Sequence, residues 1–226
     1  MKKIIVMAVA LLLSSVAMAH EQGDWILRAG VANVDPKGDS DSIDVAGLVT
    51  LPGVDVADDT QLGLTGVYMW RDNIGIELLA STPFTHDIDL SNLPVKAGDT
   101  KHLPPTLSVQ YFPMAGSGNF QPYIGVGLNT TIFFDEDVDN ELNLALDGIV
   151  GLPAGTVDAG LSLKQSWGLA AQVGFDYMLN EHWMLNGAVW YIDIDTEAKI
   201  KTAIATVKFD VDIDPVVYML SIGYKF

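Results

Sequence analysis

The residues best suited to proton transfer or metal binding are four histidines: His20, His86, His102 and His182. None belongs to a Ser-His-Asp arrangement, a His-x-x-x-His pair or a phosphate-binding loop, so the sequence predicts neither an enzyme nor a cofactor. His86 and His102 bracket a long polar segment, where they could meet as a metal-ligand pair or be two unrelated polar residues near lipid headgroups. We favour the second interpretation and expect no metal site.

Carboxylates crowd two further segments, residues 35–59 and 135–141, and could bind hard divalent cations. Such ions could also bridge the carboxylates to the phosphates of lipopolysaccharide. A run of acidic residues more often only solvates a loop. The sequence leaves these alternatives open.

Charges of both signs occur within otherwise apolar segments, at Arg28, Glu77, Lys164, Asp176 and Lys225. If these segments are strands, the charged side chains share the face opposite the apolar one. The interior of a narrow barrel has room for little more than side chains, so opposite charges inside it should pair. We predict a polar plug that closes one end of the lumen, in preference to a proton relay.

The elements that position these charges are β-strands, because apolar and small residues alternate with a period of two. The alternation is clearest near Ile124, Val126 and Leu128, which face one way while glycines face the other. A glycine-rich face suits the lumen of a narrow barrel, and the apolar face then meets lipid. Eight segments show this pattern: residues 25–34, 60–70, 73–84, 103–113, 123–134, 161–179, 183–194 and 217–226.

The connections between these segments alternate in length, which predicts the topology. The short ones lie at 71–72, 114–121 and 180–182, and the long ones at 35–59, 85–101, 135–160 and 195–215. Outer-membrane barrels place short turns in the periplasm and long loops outside the cell. An open sheet edge in hydrocarbon would leave backbone groups unpaired, at a cost of several kcal/mol each. We therefore predict an all-β protein, a transmembrane antiparallel eight-stranded up-and-down β-barrel in the cell outer membrane, with four long extracellular loops.

Residues 1–19 have the pattern of a cleavable signal peptide. Lys2 and Lys3 precede an apolar run that ends at Leu13, and small residues follow at Ala17 and Ala19. The run is too short to cross a bilayer. We place cleavage before His20, so that the barrel domain spans residues 20–226.

The composition excludes two classes of protein. The chain carries 29 acidic residues against 12 basic ones, a net charge of −17, which argues against nucleic acid as a partner. It contains no cysteine, so it is not a disulfide scaffold.

The outer half of the predicted lumen is apolar. Its inward residues include Leu79, Phe133, Trp190 and Ile192, and the third long loop adds Leu142, Leu144 and Leu146. An exposed apolar loop is costly in water. The loop is therefore expected to fold over the mouth and line an apolar pocket, or to form a short interfacial helix. Packing alone is a further explanation of these residues.

Three prolines, Pro83, Pro104 and Pro105, lie at one level of the predicted third and fourth strands, which are neighbours. Proline has no backbone N–H, so these residues remove ladder hydrogen bonds that a closed barrel normally keeps. Inside hydrocarbon this loss is tolerated only where the backbone lines a cavity or is otherwise covered. We predict a lateral opening at this seam. The alternative is that the prolines only end the strands at the membrane surface.

The last predicted strand ends on two aromatic residues of its apolar face, Tyr224 and Phe226. Because this strand must close against the first, we expect its end to be the signal that the barrel-assembly machinery recognises. The other expected partners are outer-membrane lipids, lipopolysaccharide and small hydrophobic solutes.

Several motifs resemble the OmpW family of outer-membrane proteins. They are His-Leu-Pro-Pro-Thr-Leu at 102–107, Pro-Tyr-Ile-Gly-Val-Gly-Leu-Asn at 122–129 and Trp-Tyr-Ile-Asp-Ile-Asp-Thr at 190–196. The resemblance covers nearly all of the chain after residue 19 except the long loops. It implies an eight-stranded barrel with a narrow hydrophobic channel for the uptake of small apolar molecules.

Two functions are therefore compared. The leading hypothesis is a passive outer-membrane channel for small hydrophobic molecules, with lateral release into the membrane, since no nucleotide-binding motif is present. The alternative is a structural or receptor barrel whose loops bind a host surface, a phage or a bacteriocin. A continuous apolar tunnel would distinguish the first from the second.

Overall fold

The computed structural model describes residues 20–38, 40–45, 47, 49–116, 118–202 and 206–226. The predicted signal peptide, residues 1–19, lies outside the described residues. Within the described ranges, no helix combines the length and apolar character needed to cross a membrane.

The described chain is built almost entirely from β-strands. The barrel wall consists of β1 (Trp25–Asp35), β5 (Asp59–Arg71), β6 (Ile74–Ser81), β9 (Thr106–Tyr111), β10 (Phe120–Val138), β12 (Ser166–Met178), β13 (Trp183–Ile192) and β16 (Val216–Lys225). The outer connections contain β2 (Ile43–Val45), β3 (Val49–Leu51), β4 (Val54–Val56), β7 (Phe84–Leu90), β8 (Lys96–Leu103), helix α1 (Asn140–Val150), β11 (Gly160–Leu163), β14 (Asp195–Lys201) and β15 (Thr206–Asp212).

The eight wall strands form a closed antiparallel ring. Each wall strand pairs with the wall strands before and after it along the chain, and β16 pairs with β1 to complete the circle. In that closing pair Arg28 lies opposite Gly223. The predicted eight-stranded antiparallel barrel is confirmed.

An apolar belt surrounds the barrel because the outward residues of the wall strands are exposed and hydrophobic. At the outer limit of this belt Ile132 of β10 is exposed and lies opposite Leu103 of β8. Above them the outward surface becomes charged, where Lys101 Nζ lies 3.1 Å from Asp135 Oδ2. The change from apolar to charged side chains marks where lipid ends.

The sequence predicted that the second long connection is a loop. In the structure it is a β-hairpin of β7 and β8 that continues the barrel outward. Strand β8 also pairs with the outer part of β10, and β7 pairs with β4. Along β7 the residues Phe84, His86 and Ile88 are buried, while Thr85 and Asp87 are exposed. The alternation therefore continues here with charged instead of apolar outward residues, because this sheet faces water.

The segment predicted as one strand over residues 161–179 is interrupted. Strand β11 ends at Leu163 and β12 begins at Ser166, and β11 pairs with β14 instead of extending the wall. The inward assignment of Lys164 is consequently wrong, because the alternation of β12 does not carry across the interruption. Its side chain is 65 % exposed and its Nζ lies 3.1 Å from Glu197 Oε1.

The third long connection contains α1, one of the two forms expected for its apolar residues. The helix begins after Asp139, whose side chain accepts a hydrogen bond from Glu141 N, and ends at Gly151 in the left-handed conformation. Leu142 and Leu146, one turn apart, are buried. Leu144 lies on the opposite face and is 48 % exposed, so the prediction that it lines the mouth is wrong.

The end of β16 supports a prediction about assembly. Phe226 N donates to Trp25 O across 2.9 Å, while the Phe226 ring is largely exposed on the lipid side and contacts Tyr224. If the ring is the assembly signal, Phe226→Ala should lower the amount of barrel in the outer membrane several-fold, because the aromatic group is lost and the backbone bond is kept. Phe226→Tyr is the control and should preserve the amount, measured by immunoblotting of membrane fractions. Equal amounts of wild type and Phe226→Ala would reject the signal.

Candidate functional site

An ionic network centred on Arg28 lies in the inner half of the lumen. Its Nη2 and Nε lie 2.6 and 2.9 Å from the two carboxylate oxygens of Asp176, and its Nη1 lies 3.1 Å from Glu77 Oε2. The three side chains are fully buried. A guanidinium held by two carboxylates with bidentate geometry is a strong and directional interaction.

Amides and a histidine satisfy the remaining oxygens of this network. Gln110 and Gln172 donate to Glu77 across 2.8 and 2.9 Å, and Asn186 donates to Asp176 across 2.9 Å. His20 Nε2 lies 2.9 Å from Asp176 Oδ2. Groups from β1, β6, β9, β12 and β13 thus meet across the lumen, and we call this network the polar plug.

Two glycines of the lumen face make room for the plug. A Cβ at Gly223 would lie 3.0 Å from Arg28 Cγ and 2.7 Å from Met184 Cγ. A Cβ at Gly125 would lie 2.7 Å from Gln172 Cγ. Both contacts are too short, so larger residues at these positions would displace the groups that hold the charges.

The structure brings together Arg28, Glu77 and Asp176, as their shared inward face indicated. Lys225 lies separately at the periplasmic rim, where its Nζ is 3.4 Å from Asp24 Oδ2. Sequence reasoning missed Gln110, although its position between the outward residues Val109 and Tyr111 of β9 is the same signal that identified Glu77. It also missed His20, which precedes the first strand and has no alternation to place it.

An apolar cavity occupies the outer end of the molecule. Its volume, the space open to the centres of water-sized molecules, is about 50 Å³. The walls come from β4, β7, β8, β10, β11, β14 and β15, and α1 contributes Leu142. Phe133 lines the cavity as well, whereas Leu79, Trp190, Ile192 and Leu146 are buried but do not line it. We call this space the outer cavity.

His86 and His102 meet in the wall of the outer cavity, with nearly parallel rings whose centroids are 4.8 Å apart. Burial and, to a smaller extent, the nearby His86 lower the pKa of His102 to about 3. Burial also lowers the pKa of His86, against the opposing effects of the Ala57 carbonyl and Asp59. Both imidazoles are therefore neutral at physiological pH.

Among the described residues, one group of three carboxylates is close enough to share a cation. Asp193, Asp195 and Asp214 place one oxygen each within 4.8 Å of one another at the outer end of β13. Asp195 is exposed and the other two are partly exposed, and such groups commonly occur without an ion. The two acidic segments noted in the sequence are not part of this group.

The seam between the third and fourth wall strands is interrupted. The last pair of β6 and β9 is Leu79 with Thr106, and pairing resumes only where Phe84 of β7 lies opposite His102 of β8. The residues between these pairs include all three prolines, Pro83, Pro104 and Pro105. The prolines therefore interrupt a ladder that continues above them, at the outer limit of the apolar belt.

The neighbouring seams are closed at the same level. Thr130 N donates to Pro105 O across 3.1 Å, and the Asn129 side chain donates to the carbonyls of Pro104 and Pro105 across 3.1 and 3.3 Å. On the other side of the interruption, in the seam between β5 and β6, Thr82 N donates to Leu62 O across 3.0 Å. The interruption is thus bounded by hydrogen bonds in both neighbouring seams.

Comparisons with known proteins identify relatives over almost the whole chain. The model of the OmpW family matches residues 21–226. Outer membrane protein W of Vibrio cholerae serotype O1 is 46% identical over 221 residues, which cover 96% of this chain and 95% of that protein. Outer membrane protein W of Escherichia coli K12 is 45% identical over 231 residues and covers both chains completely. The crystal structure of OprG from Pseudomonas aeruginosa has a TM-score of 0.79 and 46% identity, covering 92% of this chain and 98% of that chain.

The polar plug gives a direct prediction about stability. Arg28→Met leaves Glu77 and Asp176 buried without their cation, and breaking a buried pair in this way costs about 3–5 kcal/mol. Unfolding in urea, followed by tryptophan fluorescence of the refolded barrel in detergent, should show this loss. Lys164→Met is the matched control and should leave the midpoint unchanged, because Lys164 is exposed. Equal midpoints for the two variants would show that the plug does not stabilise the barrel.

Proposed function

Because the chain belongs to the OmpW family of outer-membrane β-barrel proteins, we propose that it is a passive channel that admits small hydrophobic molecules from outside and releases them sideways into the membrane. The family consists of channel or structural proteins and not of enzymes. The barrel lies in the outer membrane, with lipid around its apolar belt.

The observation that carries this proposal is the interrupted seam between β6 and β9. It lies between the outer cavity above and the polar plug below, at the level where lipid meets the wall. Pro83 and Pro104, whose neighbours Thr82 and Pro105 bond to the strands on the far sides, have no backbone N–H to donate there. Opening this seam therefore disrupts fewer hydrogen bonds than opening an uninterrupted one.

The polar plug makes the route through the periplasmic end unfavourable for an apolar solute. Passage there would separate Arg28 from Glu77 or Asp176 in a space without water, and an uncompensated buried charge is costly. Transfer from the outer cavity to lipid exchanges one apolar environment for another. The sideways route consequently needs no energy source.

Two further partners belong to the proposal. We infer that the barrel-assembly machinery recognises the end of β16 and that the charged outer surface contacts lipopolysaccharide. The exposed Asp135 and Asp87, each beside a lysine, support the second contact, because ion pairs at that level can exchange partners with phosphates.

The seam prolines provide the test. The triple variant Pro83→Ala, Pro104→Ala and Pro105→Ala restores backbone donors, and each regained hydrogen bond stabilises the closed seam by about 0.5–1.5 kcal/mol. Uptake of a hydrophobic solute into proteoliposomes should therefore slow about two- to tenfold per regained bond. Heat-dependent mobility on gels should show that the barrel remains folded.

Pro94→Ala is the matched control, since Pro94 is an exposed proline in the turn between β7 and β8. It should leave uptake unchanged. Equal rates for wild type and the triple variant would exclude the lateral route. Absence of uptake by wild-type protein would exclude the channel and favour the receptor barrel.

A further inference from the structure

The outer cavity contains polar atoms that an apolar lining does not need. The Nε2 atoms of His86 and His102 are buried and have no hydrogen-bond partner. The two residues are 2 and 3 % exposed, and both line the cavity. A buried polar group without a partner costs about 1–3 kcal/mol, which a ligand can recover by supplying the partner.

The tautomer of His86 defines which partner it needs. Its Nδ1 lies 2.5 Å from Ala57 O, and a carbonyl oxygen can only accept, so Nδ1 carries the proton. In a neutral imidazole the other nitrogen then has a free lone pair. His86 Nε2 is therefore an acceptor that requires a donor from the ligand.

The pair is badly arranged for a single metal ion. A metal bound at about 2.0–2.1 Å must lie near the plane of each ligating ring. The His86 and His102 planes differ by only 12° and their centroids are 4.8 Å apart, so the rings are stacked and their planes do not share such a point. Phe84 stacks on His102 from the same hairpin and adds no ligand.

A carboxylate is also a poor ligand for this site. Both histidines are neutral because burial lowers the pKa of each. A carboxylate offers only acceptor oxygens, which would face the lone pair of His86 Nε2. A hydroxyl group both donates and accepts, so it can donate to His86 Nε2 and accept from His102 Nε2 in the tautomer that carries its proton on that atom.

We propose that the outer cavity is a binding site for small apolar molecules that carry one hydroxyl group, with His86 Nε2 accepting the hydroxyl proton. The inference rests on the proposed channel function and names the solute class that this channel prefers. His102 Nε2 is the second hydrogen-bonding point. Outside the outer cavity, at the seam, Ser81 Oγ is also buried without a partner.

The test compares octanol, octane and octanoate, whose chains have the same length. Equilibrium binding to the full barrel in nanodiscs is measured at equal solute concentrations in the lipid. Wild-type protein should bind octanol about two- to tenfold more tightly than octane, because one additional hydrogen bond increases affinity by about that factor. Octanoate should bind no more tightly than octane. Nitrogen NMR of isotope-labelled histidine should show the His86 Nε2 signal shifting with octanol and not with octane.

Substitutions of the histidines test whether they cause the preference for octanol over octane. His86→Phe should abolish the preference for octanol, and His102→Phe should reduce it, while both keep an aromatic ring in the stack. His182→Phe is the matched control and should keep the full preference, because His182 lies at an exposed periplasmic turn. If His86→Phe does not fold, the NMR shift of His86 Nε2 in the wild-type protein still shows whether this atom binds the hydroxyl group.

The outcomes separate this inference from the proposed function. Equal binding and uptake of octanol and octane by the wild-type barrel would overturn the hydroxyl site and leave the channel intact. Uptake of neither solute would contradict the channel, while a selective His86 shift would still support the site. Retention of the preference in His86→Phe would also overturn the inference.

Discussion

The rest of the structure depends on how the Arg28 charge is satisfied inside a lumen that has room only for side chains. Eight strands enclose a narrow space in which the guanidinium contacts two carboxylates and three amides donate to those carboxylates. The network ties β1 to β6 and β12, strands that are not adjacent in the wall. In the proposed route this network blocks the periplasmic end, so the apolar cavity above it has its outlet through the wall.

The wall has one place where such an outlet is inexpensive to form. Elsewhere in a barrel the hydrogen-bond ladder must stay intact, because lipid offers no replacement partners. At the proline seam the missing N–H groups lie where the apolar belt gives way to charged side chains, and Asn129 supplies donors to the proline carbonyls on the other edge. The interruption therefore lies between two hydrogen-bonded seams, as the proposed lateral outlet requires.

Much of this arrangement could be predicted from alternation along the strands. The period of two placed Arg28, Glu77 and Asp176 on the lumen face and located the eight wall strands. It failed at Lys164, because alternation holds only while a strand is continuous and β11 is separated from β12. The stacking of His86 on His102 was not predictable, since it requires the segment between them to be a hairpin. The outer cavity was predictable only in part, because its walls come from connections far apart in the chain.

The central claim, that a solute leaves through the seam and not through the plug, is tested most directly by photolabelling. A photoreactive octanol analogue would be equilibrated with the barrel in nanodiscs, activated by light, and its attachment sites identified by peptide mass spectrometry. Ser81 at the seam and Gln110 in the plug both face the lumen, so reagent dissolved in lipid does not reach either from outside. The account predicts labelling of His86 and Ser81 with none on Gln110 or Arg28. Labelling of Gln110 and of the rim near Lys225, with Ser81 unlabelled, would contradict it.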